Sequence, residues 1–214
     1  MNAEAAPEAA LERAWWMRAA AVLVAPHAVF VTLRDDSDEA AQARQEPLML
    51  IAGLAGIAGV LGTSTFRRSL NDGSVSMGLV AVLAFMAGAL YALAFFWLGG
   101  GLLFRVSRRL GSQGSWRRSR HLLTLAAAPL ALTLLTFWPV RIAIYGTDLF
   151  RTGGDDYGTG DAIFGGIYYA VIAWCVLLLL IGVRSVHGWS WPRAVATVVL
   201  TAALPVLVVL ATTV

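Results

Sequence analysis

Five long apolar blocks constrain the fold of this chain more than any other feature of its sequence. Each block has roughly the 20 residues that a helix needs to cross about 30 Å of hydrocarbon. The whole chain is 58% hydrophobic and 14% charged, whereas soluble domains average about 45–50% apolar and about 25% charged residues. We therefore predict an all-α fold, a polytopic membrane helical bundle with five transmembrane helices. The predicted spans cover about residues 47–64, 76–98, 122–138, 162–183 and 194–211. We expect Gly99, Gly100 and Gly101 to weaken the end of the second span and Pro129 to kink the third.

A sixth apolar block, residues 14–33, differs from the other five because polar residues interrupt it. The interruptions are Arg18, Pro26 and His27, and two adjacent tryptophans stand near its start. Tryptophan favours the headgroup level of a bilayer, and proline breaks the interior of a helix. We predict an N-terminal interfacial helix over about residues 14–33, broken near Pro26, within a cytoplasmic segment over residues 1–46. A spanning helix at this position stays an alternative.

A polar stretch, residues 34–46, joins this N-terminal segment to the membrane domain, residues 47–214. Its sequence is RDDSDEAAQARQE, which carries no apolar run, and Pro47 follows it directly. Proline suits the first turn of a helix, where its missing N–H is not needed. We interpret the stretch as a linker that ends where the first span begins.

Small residues recur four positions apart along the first predicted span. In lipid, helices associate by close backbone approach over such residues rather than by hydrophobic burial. The pattern predicts that this helix is pressed against another helix, either within the chain or across a homo-oligomer. The pairs are Ala52/Gly56, Ala55/Gly59 and Ala58/Gly62.

The arginines fix the predicted orientation in the membrane. All sixteen basic side chains are arginine, which favours a GC-rich, bacterial genome and therefore the inner (plasma) membrane as the location. Cytoplasmic segments carry the excess of basic residues in membrane proteins. Placing the N-terminus in the cytoplasm and the C-terminus outside leaves only four arginines on the outer side. These four are Arg67, Arg68, Arg141 and Arg151.

The spans offer little that could carry catalysis or ion-coupled transport. None of them has an Asp, Glu, Arg or His near its centre, and an ionisable group at that depth is the usual mark of a proton or ion pathway. The single cysteine, Cys175, and three scattered histidines give no metal-ligand spacing. We predict a protein with no catalytic residues, cofactor or metal. A small membrane transporter or channel is the alternative, and a membrane enzyme would need a hydroxyl and a histidine within hydrogen-bond reach in one pocket.

The largest basic block runs from Phe104 to His121 and contains six arginines but no acid. Stacking aromatics, which nucleic-acid sites use, are almost absent from it, so we exclude nucleic acid as a partner. A topology anchor, a patch for anionic lipid headgroups and a site for an acidic partner stay open. The candidate lipid- or partner-binding residues are Arg105, Arg108, Arg109, Arg117, Arg118, Arg120, Arg184 and His187.

Two motifs, in this order on a five-span frame, resemble the Yip1 domain family over about residues 47–212. One is the turn GSQGSW leading to a span with a central proline, and the other is GVRSVHGWS between the last two spans. The matching positions are Gly114, Ser115, Trp116, Pro129, Gly182, Arg184, Val186, His187, Gly188 and Ser190.

The second motif also has a purely structural interpretation. Gly188 would break the fourth span, Ser190 would cap the fifth, and Pro192 would lie in its first turn. Arg184 would face the carbonyl end of the fourth helix, where a cation is favoured.

The resemblance implies five spans and a cytosolic N-terminus. Eukaryotic relatives act in vesicle traffic and contact Rab-type GTPases, partners that a bacterial protein would not meet. We therefore expect a Yip1-like integral membrane protein that serves membrane organisation, scaffolding or a trafficking-related role. Its expected partners are membrane lipids and, in addition, a homo-oligomer or other membrane proteins.

Overall fold

The computed structural model describes residues 14–155 and 158–213, with side chains described as far as residue 203. All regular structure in these ranges is helical, so the predicted all-α class is confirmed. The α-helices are α1 (residues 14–21), α2 (Pro26–Thr32), α3 (Asp38–Ala43), α4 (Gln45–Leu61), α5 (Met77–Ala94), α6 (Gly100–Arg109), α7 (Trp116–Ala126), α8 (Ala128–Leu135), α9 (Phe137–Tyr145), α10 (Thr159–His187) and α11 (Trp191–Thr213). Two short 3₁₀ helices cover Phe66–Asn71 and Gly146–Phe150.

Three helical stretches of the described residues are long and apolar enough to cross a membrane. They are Met77–Arg109, Ala128–Phe150 and Thr159–His187. Because such stretches bury little of their surface within the bundle, their apolar side chains need lipid around them. The chain is therefore a helical membrane protein, and the larger number of five spans stays a prediction.

The helix predicted to end near Leu98 continues to Arg109. A π-helical segment, Phe95–Gly99, joins α5 to α6 without a break. The expectation that Gly99, Gly100 and Gly101 weaken the end of this helix is wrong. A Cβ on Gly100 would lie 2.9 Å from the Cα atom of Arg120, so this glycine permits α7 to pack closely on the helix.

The region of the third predicted span is divided into three helices. A break at Ala127 separates α7 from α8 and lies just before Pro129, which occupies the first turn of α8. The predicted kink at Pro129 is thus confirmed. Thr133 Oγ1 donates to the carbonyl of Leu130 over 2.6 Å. In a regular helix the Leu125 carbonyl would accept the N–H of residue 129, which proline lacks. The Thr133 hydroxyl does not replace that donor, because it already binds the Leu130 carbonyl.

Two glycines bring α4 and α5 into close backbone contact. A Cβ on Gly56 would lie 2.3 Å from the carbonyl oxygen of Gly88, and a Cβ on Gly88 would lie 2.7 Å from the Cα atom of Ile57. No atom lies within 4 Å of the corresponding positions at Gly53 and Gly59. The prediction of an intrachain helix contact over small residues is confirmed at Gly56, and the homo-oligomer stays a prediction.

The N-terminal helices belong to the bundle. Phe30 and Leu33 are fully buried, and a Cβ on Gly182 would lie 2.9 Å from Cε1 of Phe30. The predicted break in this segment is present, because α1 and α2 are separated at residues 22–25. The polar stretch 34–46 contains α3, whose N-cap Ser37 accepts a hydrogen bond from the backbone N–H of Ala40. This stretch is therefore a folded element rather than an extended linker.

Candidate functional site

The arginine cluster is a helical hairpin rather than an open loop. Arg105, Arg108 and Arg109 lie on the last turns of α6, and the other three arginines lie in the first turns of α7. Only the turn 110–115 is non-helical. We call α6, this turn and α7 the basic hairpin. The basic end of the bundle is the basic hairpin together with residues 34–44 and 184–193.

Asp36 forms ion pairs with arginines of both α7 and the polar stretch. Its Oδ1 atom lies 3.3 Å from Nε of Arg117 and 3.0 Å from Nη2 of Arg44. Ser115 Oγ donates to the second carboxylate oxygen, and Ser115 also caps α7 by accepting from the N–H of Arg118. Only 14% of the Asp36 side chain is exposed. One nearly buried carboxylate therefore holds the N-terminal stretch against the start of α7.

Arg44 is fully buried at 0% exposure and donates hydrogen bonds to three groups. Its Nη1 donates to the carbonyl of Asp35 over 2.8 Å, and its Nη2 reaches Asp36. Its Nε donates to Nδ1 of His121 over 2.8 Å, which fixes the ring proton on Nε2. Burial, and after it the charge of Arg44, lowers the pKa of His121 to about 3. His121 is therefore neutral, as its acceptor role requires.

Arg34 connects the polar stretch to α10, and Arg118 connects α7 to the polar stretch. Arg34 donates from Nε and Nη2 to the carbonyl of Ser185, over 3.0 and 2.6 Å. Arg118 donates from Nη2 to the carbonyl of Arg34 over 2.8 Å. The two bonds from Arg34 satisfy one carbonyl group near the C-terminus of α10, where a cation is also favoured by the helix dipole.

The turn of the basic hairpin contacts the C-terminus of α10 at His187. Ser112 Oγ lies 3.2 Å from Nδ1 of His187 and accepts the N–H of Gly114 over 2.9 Å. The His187 ring stacks on Trp189 with a centroid distance of 4.5 Å. This is a hydroxyl–histidine pair of the kind that an enzyme would need. However, its serine fixes the backbone of the turn through Gly114, which is a structural role.

The junction of α10 and α11 follows the structural interpretation of its motif. Gly188 ends α10 in the left-handed region at φ 65°, and Pro192 lies in the first turn of α11. Arg184 lies in the last turn of α10, with its guanidinium 4.9 Å from the ring centre of Trp191. The backbone carbonyl of Ser190 accepts the N–H of Ala194. The structure gives no side-chain cap for Ser190 among the described hydrogen bonds.

Arg120 lies among aromatic rings instead of acids. Its guanidinium carbon lies 4.2 Å from the ring centre of Trp97, 4.7 Å from Trp116 and 4.9 Å from Phe96. Such cation–π contacts contribute about 0.5–2 kcal/mol each. Its Nε is buried and has no hydrogen-bond partner within the described part of the chain.

Among the six arginines of the basic hairpin, the three on α6 are the exposed ones. Arg105, Arg108 and Arg109 are exposed, and no carboxylate among the described residues pairs with them. Arg108 lies over the ring of Phe104 at 5.8 Å. The eight predicted site residues therefore separate into two groups. Three are exposed on α6, and Arg117, Arg118, Arg120, Arg184 and His187 are engaged in contacts within the bundle.

The arginines predicted for the outer side gather at the other end of the long α5–α6 helix. Arg67 and Arg141 both reach Oδ1 of Asp161, over 2.7 and 2.8 Å. Asn71 bonds with Thr152 across the same end. The helix that separates the two ends has 33 residues, or about 50 Å at 1.5 Å per residue.

The described residues hold no cluster of His, Cys, Asp and Glu suited to a metal ion.

The two motifs singled out in the sequence meet in the structure. A Cβ on Gly114 would lie 3.3 Å from Cε1 of His187, so the glycine of one motif permits contact with the histidine of the other. A sequence model of the Yip1 domain matches residues 20–213. The chain belongs to the Yip1 domain family. No curated protein and no solved structure matches this Yip1-domain chain significantly.

The Yip1 match begins at residue 20, whereas the resemblance seen in the sequence begins at about residue 47. It includes α2, where Phe30 is fully buried, and the polar stretch, where Arg44 is fully buried. Sequence reasoning missed Asp36, Arg44 and Arg34 as parts of the basic end. The available signal was charge complementarity, because the acid-rich run RDDSDE is the natural counterpart of an arginine cluster without acids.

Proposed function

We propose that this Yip1-domain membrane protein is a non-enzymatic organiser or scaffold whose basic end contacts anionic lipid headgroups on the cytoplasmic side. The proposal includes five spans, a cytoplasmic N-terminus and an external C-terminus. One observation carries it: Arg105, Arg108 and Arg109 are exposed at the end of a helix that is long and apolar enough to cross a membrane, and no carboxylate among the described residues pairs with them.

The position of these arginines suits a headgroup layer. The α5–α6 helix is apolar along most of its length and becomes basic in its last two turns. An arginine near an anionic surface contributes about 1 kcal/mol to binding. Arg117 and Arg118 add less, because Asp36 and Asp38 already compensate part of their charge.

A lipid-preference measurement tests the lipid contact. The protein is placed in nanodiscs with equal phosphatidylglycerol and phosphatidylcholine, and the lipids that remain after mild detergent exchange are quantified by mass spectrometry. We expect enrichment of phosphatidylglycerol, and its loss in the triple variant R105Q/R108Q/R109Q. The control variant R68Q/R151Q removes two exposed arginines at the other end and should keep the enrichment. Equal enrichment in the triple variant and the control would overturn the lipid contact.

Cysteine labelling tests the orientation and the span number. In a C175A background, we introduce Q113C in the hairpin turn, D155C in the loop before α10 and T213C near the C-terminus. A membrane-impermeant maleimide added to intact cells should label D155C and T213C, and Q113C only after lysis. Labelling of Q113C in intact cells would overturn the orientation, and protection of T213C would overturn the five-span count.

The alternatives that the sequence left open have less support. An acidic protein partner could occupy the same three arginines, and it would appear as a protein crosslink that depends on them. The transporter or channel alternative has no observation in its favour within the described residues. A trafficking-related role rests on the family resemblance, and pull-down from native membranes after crosslinking would test it.

A further inference from the structure

A groove of about 650 Å³ lies beside the exposed arginines, on the outer surface of the long helix. The π-helical segment and α6 form one side of it, and the start of α7 forms the other. Its principal lining residues are Trp97, Leu98, Leu102, Phe104, Arg105 and Trp116. The lining is mostly aromatic and aliphatic, with a single charged group.

The groove has a fixed wall of aromatic rings. Trp97 and Trp116 meet edge to face with a centroid distance of 5.3 Å, and the guanidinium of Arg120 packs against both rings. Gly101 leaves room beside this wall, because a Cβ there would lie 3.3 Å from Nε1 of Trp116. Arg120 therefore supports this aromatic wall from the side of the bundle.

The chemistry of the groove changes from apolar to cationic along α6. Leu98 is 74% exposed, and such exposure suits contact with hydrocarbon rather than water. Arg105 lies about two helical turns further along, where the long apolar helix ends in its arginines. The arrangement matches an amphiphile with one apolar chain and a headgroup at the membrane surface.

The charge of the groove selects the headgroup. Arg105 is the single charged side chain that lines the groove, and no carboxylate among the described residues pairs with it. A zwitterionic phospholipid headgroup carries a cationic group beside its phosphate, and that cation would be repelled by the arginine. An anionic headgroup brings a phosphate whose charge the arginine can match in a hydrogen-bonded pair.

We propose that this groove binds a single anionic phospholipid, with one acyl chain along Leu98 and Leu102 and its phosphate at Arg105. The proposal rests on the proposed function, because it requires the basic end to lie in a headgroup layer. It goes further by assigning one discrete lipid site, distinct from the general attraction of exposed arginines for an anionic surface.

A groove-filling substitution tests the site. Leu98→Trp places a large ring in the groove at an exposed position, where it should not disturb the core. Leu90→Trp makes the same change on the same helix, two turns away and outside the groove, at a residue that is 67% exposed. Both variants are reconstituted with phosphatidylglycerol and phosphatidylcholine, and native mass spectrometry counts the lipids that stay bound as the activation energy is raised.

We expect wild type and L90W to keep one phosphatidylglycerol at energies that remove all other lipids. In L98W, the occupancy of this last lipid should fall at least about tenfold. Retention of the lipid in L98W, with occupancy equal to that of L90W, would overturn the groove site. In R105Q, the last lipid should lose its preference for phosphatidylglycerol, and an unchanged preference would also count against the site.

The two proposals fail in different ways. If the groove is wrong but the surface contact is right, L98W behaves as wild type while R105Q/R108Q/R109Q still loses its general enrichment of phosphatidylglycerol. If the surface contact is wrong, wild type shows no general enrichment in the first place. Equal melting temperatures for L98W and L90W establish that any lost lipid reflects the groove and not unfolding.

Discussion

Arg44 Nε donates a hydrogen bond to His121 Nδ1 over 2.8 Å, at a point where both side chains are buried. The bond joins the polar N-terminal stretch to α7, 77 residues further along the chain. A buried guanidinium is stable only when its donors are satisfied, and here Asp36, the Asp35 carbonyl and His121 satisfy it. Neutral His121 is therefore a structural requirement of the basic end.

The first prediction concerns pH. The pKa of His121 is lowered from 6.5 to about 3 in the folded protein. Between about pH 6.5 and pH 3, His121 is therefore protonated in the unfolded chain but neutral in the folded chain. The stability contributed by neutral His121 is fully present above pH 6.5 and is lost as pH falls from there toward 3. The expected loss is about 1.4 kcal/mol per pH unit, or about 2 kcal/mol between pH 7 and 5.

Thermal unfolding in detergent at pH 7 and pH 5 measures this effect. His121→Asn keeps an acceptor for Arg44 and cannot titrate, so its melting temperature should fall less between the two pH values than that of wild type. The comparison removes the contribution of carboxylates, which both proteins share. An equal fall in both proteins would contradict the assignment of His121 as the acid-sensitive group.

The second prediction concerns Asp36. Asp36→Asn leaves buried Arg44 without its carboxylate and also weakens the bonds to Arg117 and Ser115. Loss of one partner from a buried ion pair destabilises proteins by about 3 kcal/mol or more. We expect a clear decrease in melting temperature in detergent.

Asp38→Asn is the matched control for Asp36. It removes a carboxylate that also binds Arg117, but the Asp38 side chain is 89% exposed. Exposed pairs contribute less than about 1 kcal/mol, so this variant should unfold close to wild type. Similar melting temperatures for the two variants would show that Asp36 does not organise the basic end.

The third prediction concerns the contact between α4 and α5. Gly56→Ala places a methyl group where the Gly88 carbonyl oxygen and the Ala92 nitrogen already lie. These are backbone atoms, so the helices must separate, and overpacking of this kind destabilises by about 1–3 kcal/mol. Gly59→Ala, on the same helix, meets no atom within 4 Å.

Melting temperatures in detergent distinguish these glycines. We expect a decrease for G56A, whereas G59A should be unchanged or slightly more stable because alanine favours the helix. An equal response of the two variants would mean that the close approach at Gly56 is not what holds α4 against α5.

Regular local patterns in the sequence predicted much of the fold. The small-residue spacing indicated a close helix contact, which is present at Gly56, and Pro129 indicated the break that separates α7 from α8. Gly188 and Pro192 marked the end of α10 and the start of α11. These features depend on residues close together in the chain, so the sequence carries their cause directly.

The three-glycine run shows where local reasoning is insufficient. Glycine alone is a weak helix former, and Gly99–Gly101 therefore indicated a helix end. In the structure the helix continues to Arg109, because Arg120 of α7 packs on Gly100 and replaces the missing side-chain volume. That partner lies twenty positions away, and no local pattern identifies it.

The sequence by itself determined that the chain is an α-helical membrane protein with a concentrated arginine cluster, because apolar length and side-chain charge are properties of single segments. Only the tertiary structure decided which arginines are free to meet a ligand. Asp36 lies about eighty positions before Arg117, and it compensates Arg117 but not Arg105. Pairing across such a separation depends on how the helices pack, so charge composition alone could not distinguish the arginines held inside the bundle from those exposed on α6.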